Sequence, residues 1–239
     1  MSSPADILLF DVFGTVVDWR GSIARQASRR FGGTPDNWTG FSDAWRARYQ
    51  PAMEQVRAGT RGYVRLDVLH RENLDAILAD FDLSHLGEAE RAEVNLFWHR
   101  LDGWPDAANG LAALREHALV CAHSNGNVRL IADMARHAGL HWDAILGAEV
   151  CGHYKPVPQS YLNACEIMGV EPARAMMVAA HNDDLEAARA CGLKTAFVLR
   201  ANEHGQGQTT DLEPAQDWEF VASDFYDLAR QFGSSRHTV

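Results

Sequence analysis

The chain has 239 residues, of which 46% are hydrophobic and 23% are charged, as in an ordinary globular protein. Its 32 Asp and Glu residues against 22 Lys and Arg residues give a formal net charge of −10. This balance argues against binding to nucleic acid or to an anionic membrane, because both need clustered positive charge. No apolar run approaches the length of a membrane-spanning helix, and residues 1–6 lack the basic and apolar regions of a signal peptide.

Cysteine usage favours a reducing compartment. The four cysteines show neither a C-x-x-C spacing nor a histidine pattern that would complete a metal site. We therefore expect free thiols in a cytoplasmic protein. These cysteines are Cys121, Cys151, Cys165 and Cys191.

The first predicted element is a buried strand at residues 7–10, Ile-Leu-Leu-Phe. A short, continuous apolar run is typical of a strand that is covered on both faces in a parallel sheet. Gly14 and Thr15 predict a tight loop soon after it. From about residue 21 to about residue 99 the apolar residues recur at helical spacing and no strand pattern interrupts them.

Strands and helices alternate after residue 104. The predicted strands are 119–123, 144–148, 175–180 and 195–199, and the predicted helices are 110–115, 128–138, 160–168 and 184–190. Strict alternation favours right-handed βαβ units in a doubly wound, Rossmann-like parallel sheet. We therefore predict an α/β core of residues 1–17 and 101–239, with an all-α cap of residues 18–100 inserted after the first strand.

Side chains able to carry chemistry follow the carboxyl ends of these strands. They are Asp11 after the first strand, Ser124 and Asn125 after strand 119–123, Lys155 before helix 160–168, and His181, Asp183 and Asp184 after strand 175–180. Each of them, taken alone, is also typical of a turn or surface residue. Because ligands bind at the carboxyl edge of open parallel sheets, their shared position predicts a single site.

The order and spacing of these residues resemble the haloacid dehalogenase superfamily. The motifs are Asp11-x-x-Gly14-Thr15, Ser124-Asn125-Gly126, Tyr154-Lys155-Pro156 and Asp183-Asp184. The resemblance extends over essentially the whole chain and includes the helical cap. It implies an enzyme in which Asp11 is the nucleophile, Lys155 keeps Asp11 ionised and oriented, and Asp184 completes the catalytic set.

Residue 13 separates two branches of that superfamily. Phosphatases carry D-x-D, whose second Asp protonates the leaving alkoxide and helps to hold Mg²⁺, but this chain has Phe13 there. An alkoxide needs a general acid and phosphoryl transfer needs a metal, whereas halide leaves without a proton. The resemblance therefore implies a 2-haloacid dehalogenase without metal or cofactor. A phosphatase with an unusual first motif and a non-catalytic module on the same fold remain alternatives.

The resemblance also assigns binding roles. Arg46 of the Trp45-Arg46 pair and Asn125 would bind the halide, Ser124 would bind the substrate carboxylate, and Phe13 would line the site. Tyr63 is a candidate for the cap side of the pocket. The implied reaction converts a small 2-haloalkanoic acid into the 2-hydroxy acid through an aspartyl ester, with inversion at C2. The implied partners are the haloacid and water, and relatives are often dimers, so a homodimer is a further expectation.

The sequence departs from its well-known relatives at the residues that bind the hydrolytic water. Those relatives carry S-x-N-x-x-D, whereas this chain has Ala179-x-His181-x-x-Asp184. An ordinary imidazole titrates near pH ~6.5, which suits a general base. We therefore predict that His181 activates the water that cleaves the ester, with Asp184 or Asp18 orienting its ring.

Overall fold

The computed structural model describes residues 3–235, so residues 1–2 and 236–239 of the predicted core lie outside the described residues. The strands are β1 (Ile7–Phe10), β2 (Val17–Asp18), β3 (Asp102–Gly103), β4 (Leu119–Ser124), β5 (Ala144–Gly147), β6 (Ala175–Ala179), β7 (Lys194–Val198) and β8 (Phe220–Ala222). The main sheet has the order β5-β4-β1-β6-β7-β8, and every neighbouring pair is parallel. Helices cover both faces, which confirms the predicted doubly wound α/β core.

The strand order reverses direction at β1, which lies between β4 and β6. Leu9 of β1 is in register with Cys121 on one side and with Met177 on the other. All four residues of β1 are fully buried, as its continuous apolar sequence predicts. Asp11, the next residue, therefore lies at the topological switch point where ligands bind in sheets of this kind.

Five helices lie between β2 and β3. They are α1 (Trp19–Phe31), α2 (Thr39–Ala47), α3 (Tyr49–Arg57), α4 (Leu66–Ile77) and α5 (Glu88–Asn95), with short 3-10 helices at Pro35–Trp38, Leu78–Phe81 and Leu96–His99. The remaining helices are α6 (Ala107–Arg115), α7 (Val128–Ala138), α8 (Ala148–Cys151), α9 (Pro158–Met168), α10 (Asn182–Ala190) and α11 (Phe225–Ser234), with a 3-10 turn at Pro172–Arg174.

Helices α1 to α5 and the short helices among them form a cap with an aromatic interior. Trp45 packs edge-on against Trp98, with ring centroids 5.6 Å apart, and both rings are fully buried. β2 pairs with β3 in antiparallel fashion, so the chain leaves the core and returns to it at adjacent points. The predicted domain boundaries fall beside this strand pair, and the division of the chain at those residues stays a prediction.

The structure contains elements that the sequence pattern does not reveal. β2, β3 and β8 have only two or three residues each, which is too short for a periodic pattern to appear. Helix α11 packs against α6 and β8 near the carboxyl end. The short strands are therefore specified by tertiary partners rather than by local sequence. Helix α11 differs, because Asp224 caps its start and its buried residues recur at helical spacing, so its sequence does carry a helical pattern.

Two further findings concern the class of protein. No helix within residues 3–235 is both long and apolar enough to cross a membrane. The four cysteines are free thiols, three of them buried, in agreement with the expected absence of disulfides. A cytoplasmic location stays a prediction.

A buried ion pair attaches the loop after β1 to the rest of the core. The Arg200 guanidinium donates two hydrogen bonds to the Asp106 carboxylate, at 2.8 and 2.9 Å, and its Nε donates to the Thr15 carbonyl oxygen at 2.8 Å. Asp106 also accepts a hydrogen bond from the Phe225 backbone N–H. Arg200 and Asp106 are each less than 10% exposed. This network therefore fixes the position of the loop that follows Asp11.

We expect Asp106→Asn to lower the free energy of unfolding by about 3 kcal/mol, because it leaves the buried Arg200 charge without a counter-ion. Urea unfolding followed by circular dichroism measures this change. Glu93→Gln is the matched control, since it removes a carboxylate from an exposed pair with Arg100 and is expected to cost less than about 1 kcal/mol. Equal losses in the two variants would contradict the structural role of Asp106.

Candidate active site

A cavity of about 440 Å³ opens between the cap and the carboxyl edge of the sheet. Seven of the eight predicted site residues line it, namely Asp11, Phe13, Arg46, Asn125, Lys155, His181 and Asp184. The eighth, Ser124, does not: its buried hydroxyl accepts a hydrogen bond from the Gly126 backbone N–H at 3.0 Å. Its role as a ligand of the substrate carboxylate stays a prediction.

Asp11 is buried at the floor of this cavity and is held by three side chains. Lys155 Nζ donates to Asp11 Oδ1 at 2.9 Å, and Thr15 Oγ1 donates to Oδ2 at 2.8 Å. His181 Nδ1 lies 3.2 Å from Oδ2. Burial by itself would raise the pKa of Asp11, but the charges of Lys155 and His181 hold that pKa well below its ordinary value. Asp11 is therefore an ionised, oriented carboxylate.

Lys155 joins two carboxylates in the interior. Its ammonium donates to Asp11 and to Asp184, and the Tyr161 hydroxyl donates to the other oxygen of Asp184. Burial would lower the pKa of Lys155, but the two carboxylates raise it above its ordinary value. The backbone N–H of Lys155 donates to Asn125 Oδ1 at 2.7 Å, so the loops after β4 and after α8 are connected beside the cavity.

His181 is paired with a residue that the sequence does not single out. Its Nε2 lies 2.9 Å from Glu203 Oε2, and Glu203 Oε1 accepts a hydrogen bond from Trp19 Nε1 at 2.9 Å. Glu203 is only 2% exposed. The expected partners have other roles, because Asp184 binds Lys155, and Asp18 accepts from the Gly21 N–H at the start of α1. The structure therefore pairs His181 Nε2 with Glu203, and neither Asp184 nor Asp18 takes that position.

The two carboxylates on either side of His181 change its titration. Burial would lower the pKa of His181, but Glu203 and Asp11 raise it well above the ordinary value. In the same contact the pKa of Glu203 falls to about 2, since burial is outweighed by the His181 and Arg46 charges and the Trp19 hydrogen bond. Both shifts favour the protonated imidazolium in the free protein. This differs from the expectation of an imidazole with an ordinary pKa.

Arg46 lies against three aromatic rings in the cavity wall. Its Cζ is 4.1 Å from the ring centroid of Tyr49, 5.4 Å from Trp19 and 6.0 Å from Phe13. Arg46 Nη1 is buried and has no hydrogen-bond partner within residues 3–235. A buried, charged donor without a partner is costly, so this atom is suited to an anionic ligand.

Tyr49 is a cavity residue that the sequence analysis missed. It follows Arg46 by three positions, is almost fully buried, and lines the cavity. Tyr63, the expected cap-side residue, is instead 42% exposed and packs against Tyr154, with ring centroids 5.7 Å apart. Tyr49 begins α3, and the turn at Arg48 separates it from Arg46 at the end of α2, so no single helical periodicity links the two residues.

The donor set does not fit a magnesium site. Mg²⁺ needs hard oxygen ligands in octahedral geometry, but the carboxylates of Asp11 and Asp184 already share the Lys155 ammonium. The Phe13 ring takes the place of the second phosphatase Asp and packs against Trp98. Within residues 3–235, no cluster of three or more His, Cys, Asp or Glu side chains is arranged to hold a metal ion.

Comparison with known proteins identifies the family. A model of the haloacid dehalogenase-like hydrolases matches residues 5–192, which is most of the chain. The chain belongs to this family. The resemblance inferred from the Asp11, Ser124, Lys155 and Asp184 motifs is thereby confirmed.

Individual members of this family resemble the present hydrolase closely. A crystal structure of an L-2-haloacid dehalogenase is 48% identical, has a TM-score of 0.91, and is matched over 96% of this chain and 99% of that one. A crystal structure of a defluorinating L-2-haloacid dehalogenase is 44% identical, also with a TM-score of 0.91, over 98% and 99% of the two chains. The (S)-2-haloacid dehalogenase of Xanthobacter autotrophicus is 29% identical over 200 residues, 82% of this chain and 76% of that protein.

Gly14 of this hydrolase makes room for the carboxylate of Glu203. Its φ of +89° is a conformation that side chains rarely adopt, and a Cβ added there would lie 2.0 Å from Glu203 Oε1. The glycine of the Asp11-x-x-Gly14-Thr15 motif therefore permits both the tight turn and the close approach of Glu203.

We expect Gly14→Ala to lower the free energy of unfolding by about 2 kcal/mol, because it combines backbone strain with a steric clash. Thermal or urea unfolding measures the loss. Gly207→Ala serves as the control, since a Cβ there meets nothing within 4 Å, and its effect is expected to stay within about 0.5 kcal/mol. A neutral Gly14→Ala would show that Glu203 is free to move away.

Proposed function

We propose that this hydrolase removes halide from a small 2-haloalkanoic acid, the (S) enantiomer where C2 is chiral, and forms the 2-hydroxy acid through an ester on Asp11. The observation that carries the proposal is the pairing, in one cavity, of an ionised buried carboxylate with an unpartnered arginine donor. Asp11 supplies the nucleophile, and Arg46 Nη1 supplies a site for the departing anion. The names of the most similar relatives support the same substrate class.

In the first step Asp11 attacks C2 from the side opposite the carbon–halogen bond, so C2 is inverted. Lys155 and Thr15 hold the carboxylate in place, which converts the displacement into a pre-oriented step. Halide leaves toward Arg46 and Asn125. Arg46 stabilises negative charge that develops in the transition state, and the surrounding aromatic rings exclude water that would weaken this attraction.

In the second step water cleaves the ester and restores Asp11. His181 is the base, because its Nδ1 faces the Asp11 carboxylate at 3.2 Å and its Nε2 is fixed by Glu203. Water that attacks the ester carbon must pass close to Nδ1. Asp184 keeps Lys155 in position through both steps.

The alternative function, a phosphatase acting on a small phosphorylated metabolite, is disfavoured by the surroundings of Phe13. The ring is buried against Trp98 and Tyr49 and can neither protonate an alkoxide nor bind a metal ion. A halide needs no proton, so the same apolar surroundings are compatible with dehalogenation. Burial of the charges of Asp11, Lys155 and Asp184 costs desolvation free energy. A protein without catalytic activity would have no use for such an arrangement.

A substrate panel tests the proposal directly. We expect halide release from chloroacetate, bromoacetate and (S)-2-chloropropionate, unaffected by EDTA, with (R)-lactate as the product of the last. Fluoroacetate tests whether fluoride is also released. Asp11→Asn is expected to abolish halide release, because an amide is not a carboxylate nucleophile, whereas Asp217→Asn on the surface keeps it. Mg²⁺-dependent release of phosphate, without halide release from any haloacid, would establish the phosphatase instead.

The variants Arg46→Met and Arg48→Met test whether Arg46 binds the departing halide. We expect Arg46→Met to lower kcat for halide release on the order of 10²–10³-fold, because it removes a charged donor that acts mainly in the transition state. Arg48→Met, two residues further along and exposed, is expected to behave as the wild type. Circular dichroism confirms that both variants are folded. An unchanged rate for Arg46→Met would exclude Arg46 from the halide site.

A further inference from the structure

We propose, on the basis of the function proposed above, that His181 enters each turnover protonated on both ring nitrogens. We further infer that it releases its Nδ1 proton to solvent when Asp11 becomes an ester, and so becomes the base for the second step. Formation of the ester on Asp11 would then produce the neutral His181 that acts as the base in hydrolysis of the same ester.

The two carboxylate contacts of His181, a hydrogen bond at Nε2 and an ion-pair contact at Nδ1, favour a doubly protonated ring in the free enzyme. Nδ1 lies 3.2 Å from Asp11 Oδ2 and Nε2 lies 2.9 Å from Glu203 Oε2. Ionised carboxylates only accept hydrogen bonds, and a neutral imidazole can donate from only one nitrogen. A neutral His181 would place a nitrogen lone pair against a carboxylate oxygen. Both contacts are favourable only when the ring is an imidazolium.

Esterification removes the acceptor that stabilises the Nδ1 proton. The ester of Asp11 is neutral, so Glu203 alone still favours the imidazolium. Two cations also lie nearby, since Arg46 acts on Glu203 and Lys155 binds Asp11, and both disfavour a further positive charge. Burial also lowers the pKa of His181. The attraction to the Asp11 carboxylate, which favours a protonated His181 ring in the free enzyme, is therefore lost when the ester forms.

The remaining neighbours do not replace the lost charge. Asp183 and Asp184 lie in the first turn of α10, directly after His181. Asp183 accepts a hydrogen bond from the Asp184 backbone N–H, and Asp184 is already bound to Lys155 and Tyr161. His204 lies on the far side of Glu203, 3.7 Å from Oε1, and is not a carboxylate. His181 lines the cavity and its side chain is 19% exposed, so a proton has a path to solvent.

The two steps balance in atoms and charge. In the first, a bond forms between an Asp11 oxygen and C2, the carbon–halogen bond breaks, halide takes its electron pair, and the Nδ1 proton of His181 passes to solvent. In the second, water attacks Asp11 Cγ, the ester bond from Cγ breaks, one water proton returns to Nδ1, and the other ends on the hydroxyl group of the product. The net reaction releases one halide and one proton per turnover.

The protonation state of His181 can be read at equilibrium by ¹⁵N NMR, with His181→Gln to assign its signals. At pH 7.5 we expect a doubly protonated ring in the wild type. Asp11→Asn removes the same negative charge as esterification, so we expect a ring that is protonated only on Nε2. Asp184→Asn is the matched control, because it removes a carboxylate from the same cavity without touching His181, and it is expected to leave the ring doubly protonated. An imidazolium that persists in Asp11→Asn would overturn the inference, as would a neutral ring in the wild type.

A kinetic measurement separates this inference from the proposed function. His181→Ala mixed with chloroacetate is expected to release about one chloride per site with no proton, and to accumulate the covalent adduct on the peptide that carries Asp11, as detected by mass spectrometry. A proton released with that chloride would place the mobile proton on another group and overturn the inference. A slow variant without adduct would remove His181 as the base. Absence of halide release from every haloacid by the wild type would refute the proposed function itself.

Discussion

The buried charges around Asp11 determine how the rest of the active site is built. A carboxylate taken out of water at the end of β1 is costly unless nearby charges and hydrogen bonds compensate for its desolvation. Lys155, His181 and Thr15 supply this compensation within about 3 Å. The same contacts keep the carboxylate ionised, which is the state a nucleophile needs.

Each compensating group is in turn held by a separate part of the chain. Lys155 is shared with Asp184 at the start of α10, and His181 is shared with Glu203 in the long loop after β7. The backbone of the loop after β1 is fixed by Arg200, which is itself paired with Asp106. The site therefore depends on several loops at the carboxyl edge of the sheet, all positioned by buried ion pairs.

The cap contributes an aromatic environment, in contrast to the charged groups that surround Asp11. Its aromatic rings surround the Arg46 guanidinium, and the rings supply no hydrogen-bond acceptor for Nη1. Because Nη1 has no hydrogen-bond partner in residues 3–235, a small anion that enters the cavity would complete its hydrogen bonding. Asp11 on the sheet side and Arg46 on the cap side thus line the same cavity, an arrangement that suits the displacement we propose.

The sequence by itself determined the architecture and most of the site. Alternation of apolar strands and amphipathic helices specified the parallel sheet, and the motifs at strand ends specified Asp11, Lys155 and Asp184, because parallel strands bring their carboxyl ends to one edge. Phe13 could also be interpreted from sequence, since its chemistry excludes acid and metal roles at that position. Local periodicity and motif order are enough for features that lie on, or directly after, regular elements.

Only the tertiary structure decided the partner of His181 and the direction in which the pKa of its ring shifts. Glu203 lies in an irregular loop, 22 residues from His181, where no periodicity predicts which side chain turns inward. Burial of Glu203 over Gly14 depends on the fold of two distant loops. The protonation of His181 depends in turn on the distances to two carboxylates from different segments. Electrostatic effects of this kind arise from positions in space, and these become fixed only when the chain is folded.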